Sequence, residues 1–449
     1  MTQRHDPVRF TGSGSQAMRR RRIMTKADIL IPQAVADTLV EPLAYADGRI
    51  YDTYAWLRSN NPFGRAEIEG VDPFWVATRH ADILDISRQN ALFLSGERST
   101  TMVSKAMDAQ VRERMGGSPH LLRTLVQMDA PDHPKYRALT QAWFMPQNLR
   151  SHEARIRKIA RAAVDRMAAT GGRCDFVKSV ALQYPLHVVM EIMGVPEEDE
   201  PRMLMLTQEL FGASDPELGR KPQVDEKGEQ TFDLSVITDF FNYFTALSAS
   251  RRAEPRDDLA SVIANAKIDG NPISEFEALG YYIIVATAGH DTTSSSTAGA
   301  LWGLAERPDQ LAKVKANPAL IPGLVEESIR WTTPVKTFMR SASEDVEFAG
   351  RKVSKGDWIM LCYASGNRDE EVFDRPNEFL VDRAPNKQLS FGYGAHLCLG
   401  QHLAKMEMRI LWEELLPRLK SVELDGEAAW SQSVFVNGPK TVPIRFEMA

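Results

Sequence analysis

The chain has little cysteine and no long apolar segment. Its 449 residues include three cysteines, and none of them shows the CxxC spacing of a zinc or redox site. Sparse, unpaired cysteine is typical of the reducing cytosol, so we expect a cytoplasmic protein. No apolar run is long enough to span a membrane, and the N-terminus lacks the hydrophobic core of a signal peptide. The sequence therefore predicts a soluble protein that is not embedded in a membrane.

The chain also lacks a strong charge of either sign. A net charge of −6 and a pI near 5.9 give no general attraction to nucleic acid or to anionic membranes. The one basic run near the N-terminus, Arg19–Arg22, follows the Gly/Ser-rich stretch Thr11–Gln16. We interpret residues 1–25 as a flexible, solvated tail. Contact of the arginine run with nucleic acid or lipid is the alternative, and its role is open.

Helical periodicity dominates the rest of the chain, with few strands and no βαβ alternation. Helices are predicted at Ala81–Gln89, His152–Ala169, Leu182–Met193, Glu197–Phe211, Asp233–Arg251, Glu275–Glu306 and Pro322–Trp331. Strands are predicted at Arg65–Glu69, Phe74–Thr78, Asp345–Phe348 and Trp358–Cys362, with the last two joined through Gly350 and 355–357. Two polar stretches, Ser99–Ser118 and Ser214–Thr231, are predicted as loops. The predicted fold class is mainly α with a small β region.

The most informative segment is the ten-residue string Phe-Gly-Tyr-Gly-Ala-His-Leu-Cys-Leu-Gly that begins at Phe391. It predicts a glycine-hinged loop that brings Cys398 to the start of an apolar helix, where backbone N–H groups and the helix dipole favour the thiolate. Gly392 permits backbone angles that a side chain would forbid. Gly400 lets the helix lie against a planar group, and Phe391 can shield the sulfur. We predict a haem iron held by this sulfur; the alternative is a buried cysteine acting as a small hydrophobe.

The segment resembles the haem loop of the cytochrome P450 monooxygenases, and the similarity extends over nearly the whole chain. Strings such as Tyr184–Met190 and Ala286–Ser295 are most similar to bacterial members that oxidise α-terpineol. The resemblance implies the cytochrome P450 fold in one domain, residues 26–449, with a non-covalent haem b bound through Cys398. It also implies insertion of one atom of O2 into a small hydrophobic cyclic substrate. A monoterpenoid and an aromatic hydrocarbon are both open.

The long apolar helix contains the string Ala-Gly-His-Asp-Thr-Thr near its middle. Poor helix formers cost stability there, and such a local conflict indicates a functional site. The resemblance implies that Ala288 and Gly289 border the haem, that Gly289 leaves room for dioxygen, and that Asp291 and Thr292 deliver protons. The alternative has Thr292 bonded to a helix carbonyl and Asp291 in an ion pair. His290 is expected to have a structural or outer proton-network role.

An acidic and a basic residue lie three positions apart in Glu327 and Arg330, on one face of a predicted helix. Alone this spacing is common on protein surfaces and has little meaning. The resemblance implies a buried structural pair that a second arginine joins. Arg383 fits that role best, and Arg375 is the second choice.

The resemblance further implies four partners for the two haem propionates. His133 and Arg137 are four residues apart, which places them on one side of a helix. Arg340 and His396 fit the remaining contacts, and four donors on two carboxylates would give strong recognition. For the substrate pocket the resemblance implies a largely apolar lining made by Ile284, Thr287, Val335, Thr337, Phe338, Phe435 and Val436.

Electrons must come from another protein, since the chain has no flavin or nicotinamide fingerprint and no ferredoxin cysteine spacing. The resemblance implies a [2Fe–2S] ferredoxin with its NAD(P)H-dependent reductase, and our hypothesis for its docking site is a basic patch of Lys135, Arg137, Lys405 and Arg409. Two alternative functions are a haem-binding sensor and a peroxide-driven haem-thiolate enzyme. The Asp291-Thr292 pair argues against the peroxide-driven enzyme, which would replace it.

Overall fold

The computed structural model of the chain describes residues 29–220 and 234–449. The predicted tail and its arginine run lie outside the described residues, and so does residue range 221–231 of the predicted polar loop. The helices within the described part are α1 Gln33–Thr38, α2 Pro42–Ala46, α3 Arg49–Asn60, α4 His80–Arg88, α5 Lys105–Arg114, α6 Asp132–Gln141, α7 Pro146–Ala168, α8 Gln183–Met193, α9 Glu200–Phe211, α10 Ser235–Ala253, α11 Leu259–Ala264, α12 Glu275–Glu306, α13 Pro308–Ala316, α14 Ile321–Thr332, α15 Tyr363–Gly366 and α16 Gln401–Leu415.

The strands are short and form several small sheets. They are β1 Phe63–Ala66, β2 Phe74–Ala77, β3 Phe93–Leu94, β4 Arg173–Asp175, β5 Lys267–Ile268, β6 Asn271–Pro272, β7 Thr337–Ala342, β8 Val346–Phe348, β9 Arg351–Val353, β10 Trp358–Cys362, β11 Leu419–Leu424, β12 Ala429–Trp430, β13 Pro439–Thr441 and β14 Pro443–Met448. The largest sheet has the order β1-β2-β10-β7-β3, in which only the β2–β10 pair is parallel. The mainly α fold class is therefore confirmed.

The central helix α12 organises the helical part of the molecule. Ser274 caps its start, because the serine hydroxyl accepts a hydrogen bond from the backbone N–H of Glu277 at 3.2 Å. Its apolar residues are buried on several sides, as expected of a helix inside a core. Helices α8, α9, α10, α14 and α16 pack against it. Among the described residues no helix is both long and apolar enough to cross a bilayer.

Helix α5 lies within the stretch Ser99–Ser118, which the sequence predicted as a loop, so that prediction is wrong. Ser104 caps the helix by accepting from the N–H of Met107, and Arg112 donates to Asp108 one turn away at 2.7 Å. Only Val111 of this helix is buried. A helix that hides one apolar residue shows almost no hydrophobic periodicity, which is why the pattern missed it.

The two later predicted strands lie in different sheets. Strand β8 pairs with β9 in a tight hairpin through Gly350, whose φ is +73°. Strand β10 instead lies between β2 and β7 in the large sheet. All five residues of β10 are buried, so the strand gains more from a central position in this sheet than from a surface hairpin.

A buried ion cluster on α14 joins three parts of the chain. Both carboxylate oxygens of Glu327 accept from the Arg330 guanidinium at 2.8 Å, and Arg383 donates to the same carboxylate at 3.0 Å. The side chains of Glu327 and Arg330 are fully buried. Arg375 contributes its backbone carbonyl to Arg383, while its side chain pairs with Asp374. The structure thus joins Arg383, rather than Arg375, to the pair.

We predict that Glu327→Ala destabilises the fold by about 3–5 kcal/mol, because it leaves two buried guanidinium groups without their anion. The neighbouring Glu326 is the matched control, since its side chain is 30% exposed and pairs with Lys405 at the surface. Glu326→Ala should cost less than about 1 kcal/mol. Urea unfolding followed by circular dichroism measures both losses. Similar small losses in the two variants would contradict a structural role for the cluster.

Candidate functional site

The cysteine loop folds back on itself before α16 begins. The N–H of Cys398 donates to the carbonyl of Phe391 at 2.8 Å, which closes the loop. Gly392 and Gly394 have φ values of +67° and +72°, as the glycine pattern predicted. At Gly394 a Cβ atom would lie 2.1 Å from the carbonyl oxygen of Ser87 in α4. Glycine is therefore required there for the loop to approach α4.

Cys398 lies just before the start of α16, and the residue is half-buried. Burial raises the pKa of the Cys398 thiol, and the backbone N–H groups of Gly400 and Gln401 offset part of that rise. The expectation that the helix terminus alone would favour the thiolate is thus incomplete, because burial outweighs the N–H groups. A cation at the sulfur would supply the missing stabilisation, since a coordinated thiol is deprotonated outright.

One face of α12 borders an open space. Ala288 is exposed although it lies in the middle of the longest helix, and its neighbour Thr287 is buried. Ile284 and Thr292, one turn before and one turn after Ala288, are half-buried. Residues four apart share one helix face. At the start of α16, a Cβ atom added to Gly400 would likewise meet no atom within 4 Å, so both helices present an open surface of the kind that a planar group needs.

The polar segment of α12 has three distinct environments. The hydroxyl of Thr292 donates to the Ala288 carbonyl at 2.8 Å, and Asp291 Oδ2 is buried without a hydrogen-bond partner among the described residues. His290 is fully buried, and its two ring nitrogens lie 3.1 Å from the Thr207 hydroxyl and 2.9 Å from the Leu182 carbonyl. His290 is thus fixed on the far side of the helix, in the structural role that was expected.

Gly289 makes room for a neighbouring helix. A Cβ atom at this position would lie 2.9 Å from Val189 Cγ2 on α8. The missing side chain therefore permits close packing of α8 against α12. The expectation that Gly289 leaves room for dioxygen stays a prediction.

Four basic side chains converge beside the cysteine loop. The rings of His133 and His396 lie 4.3 Å apart, and His133 Nε2 is buried with no hydrogen-bond partner among the described residues. Arg137 donates to the carbonyl of Leu397 at 2.7 Å. Burial, and then the neighbouring cations Arg340, His133 and Arg137, lower the pKa of His396 to about 2. A cluster of this kind favours a bound anion.

Three aromatic rings form one wall beside strand β7. The rings of Phe338 and Phe435 lie 5.1 Å apart, and Phe211 at the end of α9 lies 6.1 Å from Phe435. Val335 and Val436 form a β-bridge next to them. The sequence pointed to all of these residues except Phe211, which carried no motif and is brought here only by the packing of α9.

The two threonines of the expected pocket turn towards the backbone. The Thr337 hydroxyl donates to the carbonyl of Val434 at 2.9 Å, and the Thr287 hydroxyl donates to that of Ile283 at 2.7 Å. Both residues are about 1% exposed. Their hydroxyl protons are therefore used within the protein, whereas Ile284 remains half-buried on the open face of α12.

The expected basic patch is largely neutralised by its own neighbours. Three of its four cations form ion pairs with carboxylates: Lys135 with Asp269, Lys405 with Glu326, and Arg409 with Glu153 and Glu413. Paired surface charges attract a distant partner less than free ones do. The patch is therefore a weaker electrostatic target than the sequence suggested.

The helical fold, the cysteine loop and the polar segment of α12 together define a haem-thiolate protein. The chain belongs to the cytochrome P450 family, whose pattern matches residues 319–441, and it is a monooxygenase of that family. It is 49% identical to Cytochrome P450-terp from a Pseudomonas species over 93% of this chain and 99% of that protein. Linalool 8-monooxygenase from Pseudomonas putida is 31% identical over 90% of this chain and 98% of that protein.

A solved structure shows the same fold. The crystal structure of CYP108D1 from Novosphingobium aromaticivorans is similar to this chain with a TM-score of 0.86 and 45% sequence identity, covering 94% of this chain and 100% of that one. The predicted family and fold are thereby confirmed.

The described residues fit a haem. Arg137, Arg340 and His396 lie close to His133, whose Nε2 has no hydrogen-bond partner among the described residues, and two carboxylates such as the haem propionates would give these four groups a partner. Cys398 supplies a single soft sulfur ligand of the kind that haem iron accepts. The open surfaces at Ala288 and Gly400 leave the space that the ring requires.

We predict that Arg340→Met accelerates haem loss by about tenfold or more, because a charge-assisted hydrogen bond contributes roughly 1.5–3 kcal/mol. Arg98→Met is the matched control, since Arg98 pairs with Asp72 and stacks 4.7 Å over the Trp358 ring. It should change the rate by less than about twofold. Transfer of haem to excess apomyoglobin measures both rates. Equal rates in the two variants would remove Arg340 from the propionate site.

Proposed function

We propose that the protein works in the cytoplasm as a haem b monooxygenase. It takes electrons from a [2Fe–2S] ferredoxin, reduced by an NAD(P)H-dependent reductase, and inserts one atom of O2 into a small hydrophobic cyclic substrate. The observation that carries the proposal is the position of Cys398 just before the start of α16, a helix that packs against α12 and its polar segment. Cys398 would give haem iron its sulfur ligand, and the polar segment of α12 would supply the proton donors.

When bound, haem supplies the chemistry of dioxygen activation, with electron density from a cysteine thiolate favouring cleavage of the O–O bond. The chain's own residues supply protons. Because the Thr292 hydroxyl donates to the Ala288 carbonyl, its oxygen remains free to accept a hydrogen bond from the open face. Asp291 lies one residue away, and its Oδ2 accepts no hydrogen bond from the described residues, although His290 Nδ1 is 3.5 Å from it; this oxygen can therefore take up a proton and pass it on.

The substrate is a monoterpenoid or an aromatic hydrocarbon. The wall formed by Phe211, Phe338 and Phe435 is apolar, and the threonine hydroxyls beside it are used by backbone carbonyls. Such a pocket favours a ligand with few polar groups. The names of two relatives, Cytochrome P450-terp and Linalool 8-monooxygenase, favour the terpenoid.

The ferredoxin docks on the surface outside the cysteine loop. Tyr393 is 43% exposed there, with the Arg88 guanidinium 4.8 Å above its ring. Arg137 is the member of the expected patch that donates to the loop itself, at the Leu397 carbonyl. Because the other patch cations are ion-paired, we propose that docking combines Arg137 with this aromatic surface and depends only moderately on salt.

We predict that Cys398→Ser abolishes the ferrous-carbonyl absorption band characteristic of thiolate haem, because a serine oxygen is a harder and weaker electron donor. The half-buried Cys174 in β4 provides the control. Cys174→Ser should retain the band at full intensity. A band that survives in Cys398→Ser would assign the iron ligand to another residue.

We predict that Thr292→Ala leaves substrate binding unchanged and lowers the fraction of NADH electrons recovered in product by about tenfold or more, with the remainder appearing as hydrogen peroxide. The reason is the loss of the hydroxyl that positions the proton. Thr292→Ser keeps that hydroxyl and should keep most of the coupling. Product, peroxide and NADH are measured in the same reaction, and unaltered coupling in Thr292→Ala would refute the proton-delivery role.

A further inference from the structure

The turn that follows α9 is fastened to the C-terminal strands through one buried carboxylate. Asp215, in the turn beyond Phe211, has a fully buried side chain. Its Oδ2 accepts from the backbone N–H of Gln432 at 2.9 Å and lies 3.2 Å from Lys440 Nζ. Its Oδ1 accepts from the N–H of Glu217 at 2.9 Å. The side chain of Lys440 is 11% exposed, so the two charges form a largely desolvated ion pair, which we call the Asp215–Lys440 clamp.

The β12–β13 hairpin, residues 429–441, is held in place by contacts of its own backbone. The N–H of Lys336 donates to the carbonyl of Phe435 at 2.8 Å. At Gly438 a Cβ atom would lie 2.1 Å from Ser295 Oγ, so the hairpin backbone lies directly against α12. Phe435 therefore sits on a part of the pocket wall that is fixed independently of α9.

Phe211 lacks such support. It is the last residue of α9, and a helix end opens readily unless the chain beyond it is held. Within the described part of the chain, every hydrogen bond from the turn 212–219 to an element other than α9 involves Asp215 or Glu217. Glu217 is 72% exposed, so its own contact with Lys440 is weak. The position of the Phe211 ring, 6.1 Å from that of Phe435, thus depends on the Asp215–Lys440 clamp.

We propose that Asp215 is a positioning residue that sets the separation of Phe211 and Phe435 and thereby the size of ligand that the pocket accepts. The proposal rests on the monooxygenase function above. A buried ion pair seldom stabilises a fold more than apolar residues of similar volume would, and its best-attested use is to specify one geometry. With the clamp intact, the wall fits a compact ligand with one ring. Without it, the end of α9 moves outwards, and a compact ligand loses contact that a larger one retains.

Three imidazoles that ligate haem iron measure the pocket without turnover: imidazole, 4-phenylimidazole and 4-(2-naphthyl)imidazole. Asp215→Asn keeps the shape of the side chain and removes its charge. It should leave the Kd of imidazole unchanged and weaken 4-phenylimidazole by about tenfold, the lower end of what a methylene-sized misfit costs in an apolar pocket. The Kd of the naphthyl probe should stay the same or fall. Titration of the haem-loaded protein, followed by the shift of its haem absorption band, gives all three constants.

Asp258→Asn is the matched control, because it removes the charge of another buried, ion-paired aspartate outside the aromatic wall. The side chain of Asp258 is 8% exposed, pairs with Arg251 at 2.6 Å and accepts from the N–H of Ser261 at 2.7 Å. This variant should lower the thermal unfolding midpoint as Asp215→Asn does, but leave each probe affinity within about twofold of the wild type. An equal loss of 4-phenylimidazole affinity in the two variants would assign the effect to lost stability and overturn the proposal.

Lys440 supplies an independent pair of variants. Lys440→Met should reproduce the loss of size selectivity, whereas Lys440→Arg retains a cation and should retain the selectivity. If Asp215→Asn takes up no haem, this pair decides, and equal probe affinities in its two members would overturn the clamp. Unchanged affinities in haem-loaded Asp215→Asn would overturn it as well. A wild type that shows the size selectivity but forms no oxygenated product would instead overturn the proposed function and leave the clamp standing.

Discussion

The position of the sulfur depends on one buried carboxylate. Glu327 neutralises Arg330, and Arg330 then donates to the carbonyls of Asn367 and Pro376 at 2.8 and 2.7 Å. Asn367 in turn accepts from the N–H of Leu389 at 2.6 Å, two residues before the cysteine loop. A chain of charge-assisted and neutral hydrogen bonds thus runs from α14 to the loop. The desolvation cost of the charges is offset only because every member has a partner.

Secondary structure could be predicted best where the local sequence pattern and the packing of the fold favour the same element. Helix α12 coincides with its predicted bounds because Ser274 caps it and apolar residues fill it. Helix α5 escaped prediction because a single residue, Val111, is buried. The place of strand β10 could not be read from its residues, since a fully buried strand is equally compatible with a surface hairpin partner and with two distant strands. Pairing over long sequence separation leaves no local signature.

In the candidate site, too, residues in a recognisable sequence motif could be predicted, and residues brought in by packing alone could not. The glycine-hinged loop, the carboxylate–arginine pair and the polar segment of α12 each have a spacing that could be recognised. Phe211 and Ser95, whose hydroxyl lies 3.3 Å from His396 Nε2, had no such spacing and were missed. The contact between Gly289 and Val189 could not be predicted, because the sequence does not say which face of a helix meets a neighbour. Likewise the net effect on the pKa of Cys398 required its burial, which outweighs the helix terminus.

Two buried glutamates lie beside the candidate site in different electrostatic environments. Glu327 is ionised among guanidinium groups and fixes the loop that carries Cys398. Burial raises the pKa of Glu407, on α16, well above its usual value, and the nearby Thr293 of α12 offsets part of that rise. Burying a carboxyl without a cation favours its neutral form, since an isolated buried charge is costly. The two glutamates therefore differ in what surrounds them: guanidinium groups stabilise the carboxylate of Glu327, whereas Glu407 lies in an apolar setting where α16 packs against α12.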